Sequence, residues 1–174
     1  MSKCRICRQP FQKRSISHKD CSPECAIEGV NLDKAKNQRK LDKVTRERIK
    51  SRREWLSETQ TIVNRWVRLR DAHLPCISCG RHHQGQYHGG HYLSVGARPE
   101  LRFEESQINK QCAPCNNHLS GNIALYRINL IKKIGLDRVE WLESFHPPKK
   151  YTIEELKEIQ KTFKAKIKEL TSLT

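Results

Sequence analysis

The chain has 174 residues, a formal net charge of +15 at pH 7 and a sequence pI of about 9.7. This length suits one medium domain or a small domain with appendages, and the positive charge favours a polyanionic partner, nucleic acid above all. No apolar stretch approaches the roughly 20 residues that span a bilayer, which argues against a membrane protein. The N-terminal residues lack the apolar segment of a secretory signal, so the expected location is a reducing cytoplasm.

The eight cysteines fall into four closely spaced pairs, with none left over. In a reducing cytoplasm such pairs are typical of metal ligands rather than of disulfides. Two pairs together supply the four thiolates of a tetrahedral zinc site. The sequence therefore predicts two structural zinc sites, formed by Cys4, Cys7, Cys21 and Cys25 and by Cys76, Cys79, Cys112 and Cys115.

Residues 1–30 form the predicted N-terminal zinc finger, in which Phe11 and Ile16 are the only sizeable apolar side chains. A module this small cannot bury enough surface to fold alone, so the metal has to hold it together. His18 is an alternative ligand that could replace one of the thiolates.

Residues 31–56 form a predicted basic helical arm, with ten basic and four acidic side chains between positions 31 and 54. This composition indicates a long solvated helix or a partly disordered arm, and a purely solvated face is the alternative to a role in binding. If the arm lies along phosphates, its candidate DNA-binding residues are Lys34, Lys36, Arg39, Lys40, Arg46 and Arg48.

Further along the chain, helical periodicity predicts several helices. Ser57 with Gln60 has the spacing of a capping box, and Trp66 belongs to the apolar stripe that follows. A helix is expected after Cys115, with Gly135 as its stop, and a short one at 137–145. The last helix starts at Thr152 and is strongly amphipathic, which suits a core element or a dimer face. Short extended pieces are expected near 86–93 and 101–109.

The order of motifs in the middle of the chain is distinctive. "LPCISCG" at 74–80 is followed by "GHY" at 90–92, "LRF" at 101–103 and "CNNHLSGN" at 115–122, and "CSPEC" precedes them at 21–25. This combination resembles the ββα-metal (HNH) endonucleases and, more closely, the NinG/Rap recombination nucleases of lambdoid phages. The cysteine framework is also similar to that of the phage resolvase endonuclease VII.

The resemblance implies an α+β, mostly helical fold. Its centre would be a small zinc-braced ββα-metal core, HNH and treble-clef-like, within residues 57–135. An N-terminal zinc finger and a long basic helix would precede this core, and a C-terminal helical region, 136–174, would follow it.

The same resemblance implies that His91 is the general base that takes a proton from the attacking water. A neutral imidazole titrates near operating pH and suits this task. Gly89 and Gly90 would let a phosphodiester approach the backbone closely. The asparagine that orients the base in this fold has Gln107 in its place, which could act through its side chain or its carbonyl.

A catalytic Mg²⁺ or Mn²⁺ is a further implication. Asn116 corresponds to a metal-binding position, and its carbonyl oxygen is a hard ligand. The acidic residue common just before the base is replaced by Gly90, so His88 is the proposed second ligand. His118 and Asn122 are weaker candidates for contact with the ion or a phosphate.

Arg98, Arg102 and Lys110 surround the expected site and could bind flanking phosphates, whereas His82 and His83 are interpreted as a solvated turn.

The function implied is a metal-dependent, structure-specific endonuclease that cleaves branched recombination intermediates such as Holliday junctions and D-loops in the bacterial host cytoplasm. A homodimer and phage or host recombination proteins are candidate partners. One alternative is a zinc-finger nucleic-acid-binding protein without catalytic activity. The other is an HNH nicking enzyme that acts on linear duplex.

Overall fold

The computed structural model describes residues 2–172, and the chain divides into two compact units, Met1–Lys50 and Ser51–Thr174. The helices are long and the two sheets have two strands each, so the fold is α+β and mostly helical, as predicted. In the described part of the chain, no helix combines the length and apolarity needed to cross a lipid bilayer.

The first unit consists of a small hairpin and one long helix. Strands β1 (Ser2–Lys3) and β2 (Pro10–Phe11) pair antiparallel, and helix α1 runs from Pro23 to Ile49. The side chain of Ser22 accepts a hydrogen bond from the Cys25 N–H at 3.3 Å, which caps the helix inside the cysteine-rich segment. The predicted basic arm is thus helical and continuous with the finger, across the expected boundary at residue 30.

Arg5 ties the hairpin of this unit to helix α1. Its guanidinium pairs with Asp20 at 2.9 Å and with Asp33 at 2.7 Å. The guanidinium crosses the helix at Gly29, where an added Cβ would lie 2.1 Å from Arg5 Nη2. Gly29 is the one described residue of α1 that is buried. Cys25 and Ala26 are half-buried, and the basic side chains of the helix are all exposed.

The second unit contains two antiparallel strands, four helices and three short turns of tighter or wider helix. The 3₁₀ turns span Pro99–Leu101 and Glu105–Gln107, and a π-helical turn spans Pro114–His118. The main elements are α2 (Arg52–Arg70), β3 (Tyr87–His91), β4 (Ile108–Cys112), α3 (Ile123–Ile134), α4 (Leu136–Glu143) and α5 (Ile153–Ser172). In the strand pair, Tyr87 is opposite Cys112 and His91 is opposite Ile108.

The predicted start of α2 at Ser57 is wrong. The helix begins at Arg52, because Ser51 and Glu54 form a capping box with hydrogen bonds of 3.3 and 2.8 Å. The sequence contains two such boxes in close succession. The earlier one prevails because it extends the helix through Trp55, which is buried in the core.

The second strand also lies later than expected. Residues 101–107 form turns, and β4 occupies Ile108–Cys112, whose five residues are all buried. Its polar side chains hid the strand from a hydrophobic pattern. Their amide nitrogens are nevertheless hydrogen-bonded inside the protein, since Asn109 donates to the hydroxyl of Tyr126 at 3.1 Å and Gln111 donates to the carbonyl of Gly121 at 2.6 Å.

Two apolar cores flank the strand pair. Helix α5 packs along α2, with Trp66 and Phe163 in edge-to-face contact at 5.0 Å, and Ile108 of β4 joins this core. The second core gathers Tyr126 and Leu130 of α3 with side chains of α4 and of the loop after β3. The expected capping of α5 by Thr152 and Glu155 is confirmed, and Gly135 ends α3 at φ +86°. Because α5 packs along α2 in the first of these two cores, it is a core element.

Candidate metal centres and catalytic site

The first cysteine quartet brings its four sulfur atoms to within 4.8 Å of one another. The sulfurs of Cys7 and Cys21 are 3.4 Å apart, and those of Cys21 and Cys25 are 3.7 Å apart. Tetrahedral zinc with bonds near 2.3 Å places its sulfurs about 3.8 Å apart, so the group could hold one zinc ion. His18 lies outside the group, because its Nδ1 accepts a hydrogen bond from the Arg14 N–H at 3.1 Å.

Cys4 is the buried member of this quartet. Burial by itself raises the pKa of its thiol, but backbone N–H groups, that of Ile6 first, more than offset this and lower the pKa to about 6. A lowered pKa favours the thiolate, which is the form that binds metal.

The second quartet joins three parts of the second unit. Cys76 and Cys79 come from the loop after α2, Cys112 ends β4, and Cys115 lies in the π-helical turn. The sulfurs again lie within 4.8 Å of one another, with 4.0 Å between Cys79 and Cys112. A zinc ion here would brace the strand pair against the turn that leads into α3.

His83 is not in a solvated turn, contrary to the prediction. Its Nε2 lies 3.1 Å from the sulfur of Cys79, and its backbone N–H donates to the hydroxyl of Tyr87 at 2.6 Å. A histidine four residues after a zinc cysteine can donate to the thiolate, and that hydrogen bond stabilises the charged sulfur. Its neighbour His82 is exposed, as expected.

His91 is the last residue of β3 and is held in one orientation. Its Nε2 lies 3.0 Å from the backbone carbonyl oxygen of Arg102. Because a carbonyl oxygen only accepts hydrogen bonds, Nε2 carries the proton and Nδ1 keeps its lone pair. Burial lowers the pKa of His91, the Arg102 carbonyl opposes this, and the Arg102 guanidinium lowers it further. The net effect favours the neutral imidazole that a general base requires.

The carbonyl that orients His91 belongs to Arg102 and not to Gln107, which corrects the expectation for Gln107. The Gln107 side chain donates to the carbonyl of Leu101 at 2.5 Å and accepts from the N–H of Leu93 at 3.2 Å. Its own carbonyl accepts from the N–H of Tyr92 at 2.9 Å. The side chain and the carbonyl of Gln107 therefore both hold the loop between β3 and β4. This loop needs such hydrogen bonds because it folds into turns and does not continue the strand pairing.

The two glycines before His91 make room for protein side chains and not for a phosphate. A Cβ on Gly89 would lie 2.8 Å from Oδ1 of Asn64, and a Cβ on Gly90 would lie 2.0 Å from Oε1 of Gln111. Both glycines are buried. A phosphodiester was expected to approach these glycines closely. In the structure, α2 approaches Gly89 on one face of β3, and Gln111 approaches Gly90 on the other.

His88 and His91 lie on opposite faces of β3, because side chains alternate along a strand. His91 pairs with Ile108, which belongs to the core with α2, and His88 pairs with Gln111. Gln111 donates to the carbonyl of Gly121, so His88 is on the side of the chain segment that follows Cys115. The structure thus separates the two histidines that the sequence placed at one site.

His88 Nε2 and Gln111 Oε1 are the buried side-chain polar atoms without a hydrogen-bond partner among residues 2–172. Such atoms are costly in a folded protein and often mark a place where a ligand binds. The amide oxygen of Gln111 is an acceptor, and Nε2 of His88 is an acceptor in the tautomer that is protonated on Nδ1, so a cation or a donor would satisfy both.

Asn116 lies in the π-helical turn directly after Cys115 and is half-buried. Its amide nitrogen donates to Oδ1 of Asn117 at 2.8 Å, which leaves its own carbonyl oxygen available as a ligand. His118 is exposed, and Asn122 caps α3 in a left-handed conformation, φ +47°, without a side-chain capping bond. In the described residues, only the two cysteine quartets bring three or more His, Cys, Asp or Glu ligand atoms together, so no carboxylate cluster accompanies Asn116.

The predicted DNA-binding residues fall into two groups. Those of the arm are all exposed along α1: Lys34, Lys36, Arg39, Lys40, Arg46 and Arg48. In the second unit Arg98 pairs with Glu100 at 2.6 Å, and Lys110 is buried, with its ammonium 2.8 Å from the Ala72 carbonyl and over the ring of Tyr87. Lys110 is therefore structural and not free to bind DNA, because its position on β4 turns it inward.

A buried ionic cluster at the end of α2 was not predicted from the sequence. Asp71 is 2% exposed, pairs with Arg70 at 2.7 Å and with Lys133 at 2.9 Å, and accepts from the N–H of Lys110. Burial raises the pKa of Asp71, but the two cations outweigh it and hold the pKa below its usual value. No local pattern could reveal this cluster, since 62 residues separate Asp71 from Lys133.

Fold and site together define a small α+β protein with two four-cysteine groups that could each hold zinc. The chain belongs to the NinG family, whose model, described as "Bacteriophage Lambda NinG protein", matches residues 1–172. Protein ninG of Escherichia phage lambda is 37% identical over 94% of this chain and 89% of its own length. Protein ninG of Salmonella phage P22 is 37% identical over 94% and 90%, and that of Escherichia phage 933W is 36% identical over 97% and 92%. No solved structure matches the fold.

Proposed function

We propose that the protein is a metal-dependent, structure-specific endonuclease that cleaves branched DNA recombination intermediates. The single observation that carries the proposal is the state of His91. The Arg102 carbonyl fixes the proton on Nε2, and burial keeps the ring neutral, so Nδ1 is an oriented base. A water molecule that attacks a phosphodiester needs such a base.

Zinc at the second quartet would be structural in this proposal. It would join the strand pair to the turn that carries Asn116, and the two antiparallel strands followed by α3 would form the zinc-braced ββα core of an HNH-type enzyme. His83 would support the Cys79 thiolate. Element order and the position of the cysteines support this ββα core.

The divalent ion of the proposal, Mg²⁺ or Mn²⁺, would be held first by Asn116 Oδ1. His88, whose Nε2 has no partner, is the second candidate ligand, although it lies on the opposite face of β3 from His91. When bound, the ion would polarise the scissile phosphate and stabilise the leaving oxygen. With an imidazole and no carboxylate, this pair of ligands favours Mn²⁺ more than an aspartate would.

DNA would be bound through its phosphates. Helix α1 presents its six candidate lysines and arginines to solvent, and contacts of such side chains with phosphates do not depend on base sequence. Recognition by shape and charge suits branched DNA, and cleavage of two strands at a junction suits a homodimer. Phage or host recombination proteins would be further partners.

The test is cleavage of a four-way junction and of a linear duplex, with Mg²⁺, with Mn²⁺ or without either ion, by the wild-type chain and by His91→Gln. We expect junction cleavage that needs the ion and falls at least a hundredfold in His91→Gln, since general bases contribute about 10²–10⁴-fold. His82→Gln, an exposed histidine, is the matched control.

Each alternative has its own outcome in this assay. Binding of DNA without ion-dependent cleavage would contradict the proposal and support a non-catalytic zinc-binding protein. Equal cleavage of both substrates would support an HNH nicking enzyme that acts on duplex. Full activity of His88→Ala would remove His88 from the ion site while leaving His91 as the base.

A further inference from the structure

A polar cleft of about 330 Å³ lies between the first half of α2 and Arg102. Two of its residues are close to the candidate base. The Arg102 carbonyl binds His91, and Asn64 packs against Gly89, two residues before His91, where an added Cβ would lie 2.8 Å from Asn64 Oδ1. The polar side chains of the cleft are Arg53, Ser57, Gln60, Thr61, Asn64 and Arg102.

Arg102 carries a half-buried charge that no carboxylate of the described chain neutralises. The five other half-buried arginines of residues 2–172 each have a carboxylate oxygen within 2.9 Å: Arg5, Arg70, Arg98, Arg127 and Arg138. The side-chain partner of Arg102 is instead the neutral Gln60, at 3.0 Å. Burial lowers the pKa of Arg102, and the nearby Arg52 lowers it further, against an opposing effect of Tyr151. An anion bound at the guanidinium would supply the negative charge that the described residues do not provide.

The amides beside Arg102 are oriented so that they offer donors. Arg102 can only donate, so Gln60 turns its oxygen to Nε, and the Gln60 amide nitrogen donates to Oδ1 of Asn64 at 2.9 Å. The amide nitrogen of Asn64 then has no acceptor among the described residues. The hydroxyl of Ser57 and the guanidinium of Arg53 add further donors at the wall. Such a cleft suits a ligand whose oxygens only accept.

We propose that this cleft binds a phosphodiester group of a DNA strand, with Arg102 and Asn64 as the contacting side chains. A phosphodiester is anionic, its non-bridging oxygens are acceptors only, and arginine matches their geometry. The cleft lies beside His91, so it would hold a phosphate that neighbours the one to be cleaved. That last step rests on the proposed function, whereas phosphate binding in the cleft does not.

The experiment measures binding of a labelled four-way junction over a series of salt concentrations, without added divalent ion, so that no cleavage interferes. We expect Arg102→Gln to raise the Kd roughly tenfold at low salt and to reduce the slope of log K against log salt by about 0.9, the value for one neutralised phosphate. Asn64→Asp, which turns a carboxylate oxygen into the cleft, should also raise the Kd. Arg102→Lys keeps the charge and should recover most of the slope.

Arg68→Gln is the matched control. It also removes one positive charge, from an exposed residue of α2 that does not line the cleft. Thermal unfolding of each variant shows whether it is folded, and Asn64→Asp gives an independent reading if Arg102→Gln is destabilised. Equal effects of Arg102→Gln and Arg68→Gln, or no effect of Asn64→Asp, would overturn the proposal. A weakened Arg102→Gln together with an inactive wild type would refute the nuclease and leave the cleft in place.

Discussion

At the scale of single residues, the candidate site depends on which atoms are left free. His91 keeps Nδ1 because the Arg102 carbonyl occupies Nε2, and Asn64 offers its amide nitrogen because Gln60 occupies its oxygen. From the sequence, the role of His91 as a base was implied by the resemblance of its motif, and residue type agreed with it. That the backbone carbonyl of Arg102 orients His91 could not be read from residue types, since every residue has a backbone carbonyl.

The lowered pKa of His91 predicts a pH dependence of stability. Its pKa in the unfolded chain is about 6.5, and burial makes the folded pKa lower. As the pH falls below the pKa of the unfolded chain, the unfolded chain binds a proton at His91 and the folded chain does not. The free energy of unfolding therefore falls until the pH reaches the pKa of the folded chain. Urea unfolding between pH 8 and pH 5 should show this loss in the wild type and a smaller loss in His91→Gln.

His91→Gln retains a donor for the Arg102 carbonyl, so the comparison isolates the titration from the hydrogen bond. His82→Gln is exposed and should keep the wild-type pH dependence. Parallel stability profiles for the wild type and His91→Gln would show that the imidazole is not shielded from protonation by the fold.

At the scale of elements, helices α1 and α2 are stabilised by different interactions. Helix α2 has a buried face that packs on α5, with Val63 and Trp66 in the core. Helix α1 buries only Gly29 among its described residues, so local propensity, its Ser22 cap and the anchor at Arg5 maintain it. A long helix that buries no face and carries many positive charges suits a role in binding rather than in packing.

Replacing four basic residues of α1 by glutamine should weaken binding to every DNA, junction or duplex, because phosphate contacts do not depend on sequence. The slope of log K against log salt should fall by about 0.9 for each phosphate that the arm no longer neutralises, as measured by fluorescence anisotropy. The substituted residues are Lys34, Lys36, Arg39 and Lys40.

The matched control removes four exposed lysines from α5 and so changes the net charge equally: Lys157, Lys161, Lys164 and Lys168. We expect this variant to retain more of the slope, since these residues lie on a helix that forms the core of the second unit. An unchanged slope in the α1 variant would mean that the arm is only a solvated face.

At the scale of the whole molecule, the two units differ in what holds them together. The second unit has two apolar cores, built on α2 with α5 and on α3 with α4. The described apolar cores include no residue of the first unit, where Ile16 is 97% exposed. The first unit therefore depends on its cysteine quartet, as expected for so small a module.

We expect about two zinc ions per chain by elemental analysis of the purified protein. Cys7→Ser should reduce this to about one and unfold the hairpin of the first unit, while the cooperative thermal unfolding of the second unit is retained. Cys112→Ser should remove the other ion and lower the stability of the second unit, since this sulfur joins β4 to Cys79 in the loop after α2. Fewer than two tightly bound ions in the wild type would contradict the pairing of the cysteines.

The sequence by itself determined the features that depend on short-range patterns. The grouping of the cysteines, the amphipathic α5 with its Thr152 cap and the stop at Gly135 are all local, and each was predicted correctly. The composition of the arm left a helix and a partly disordered segment open, and the arm is helical. The resemblance to the NinG family also rested on short motifs, and the family match over residues 1–172 confirms it.

Only the tertiary structure decided which polar groups are buried and hydrogen-bonded inside the protein. Gln107 and Lys110 were candidates for the site, but both are buried, and hydrogen bonds with Leu93 and Ala72 hold them in the scaffold. The glycines before His91 accommodate Asn64 and Gln111, which lie far from them in sequence. A local pattern cannot show these partners, because burial and hydrogen bonding are set by chain segments that meet only in the folded protein.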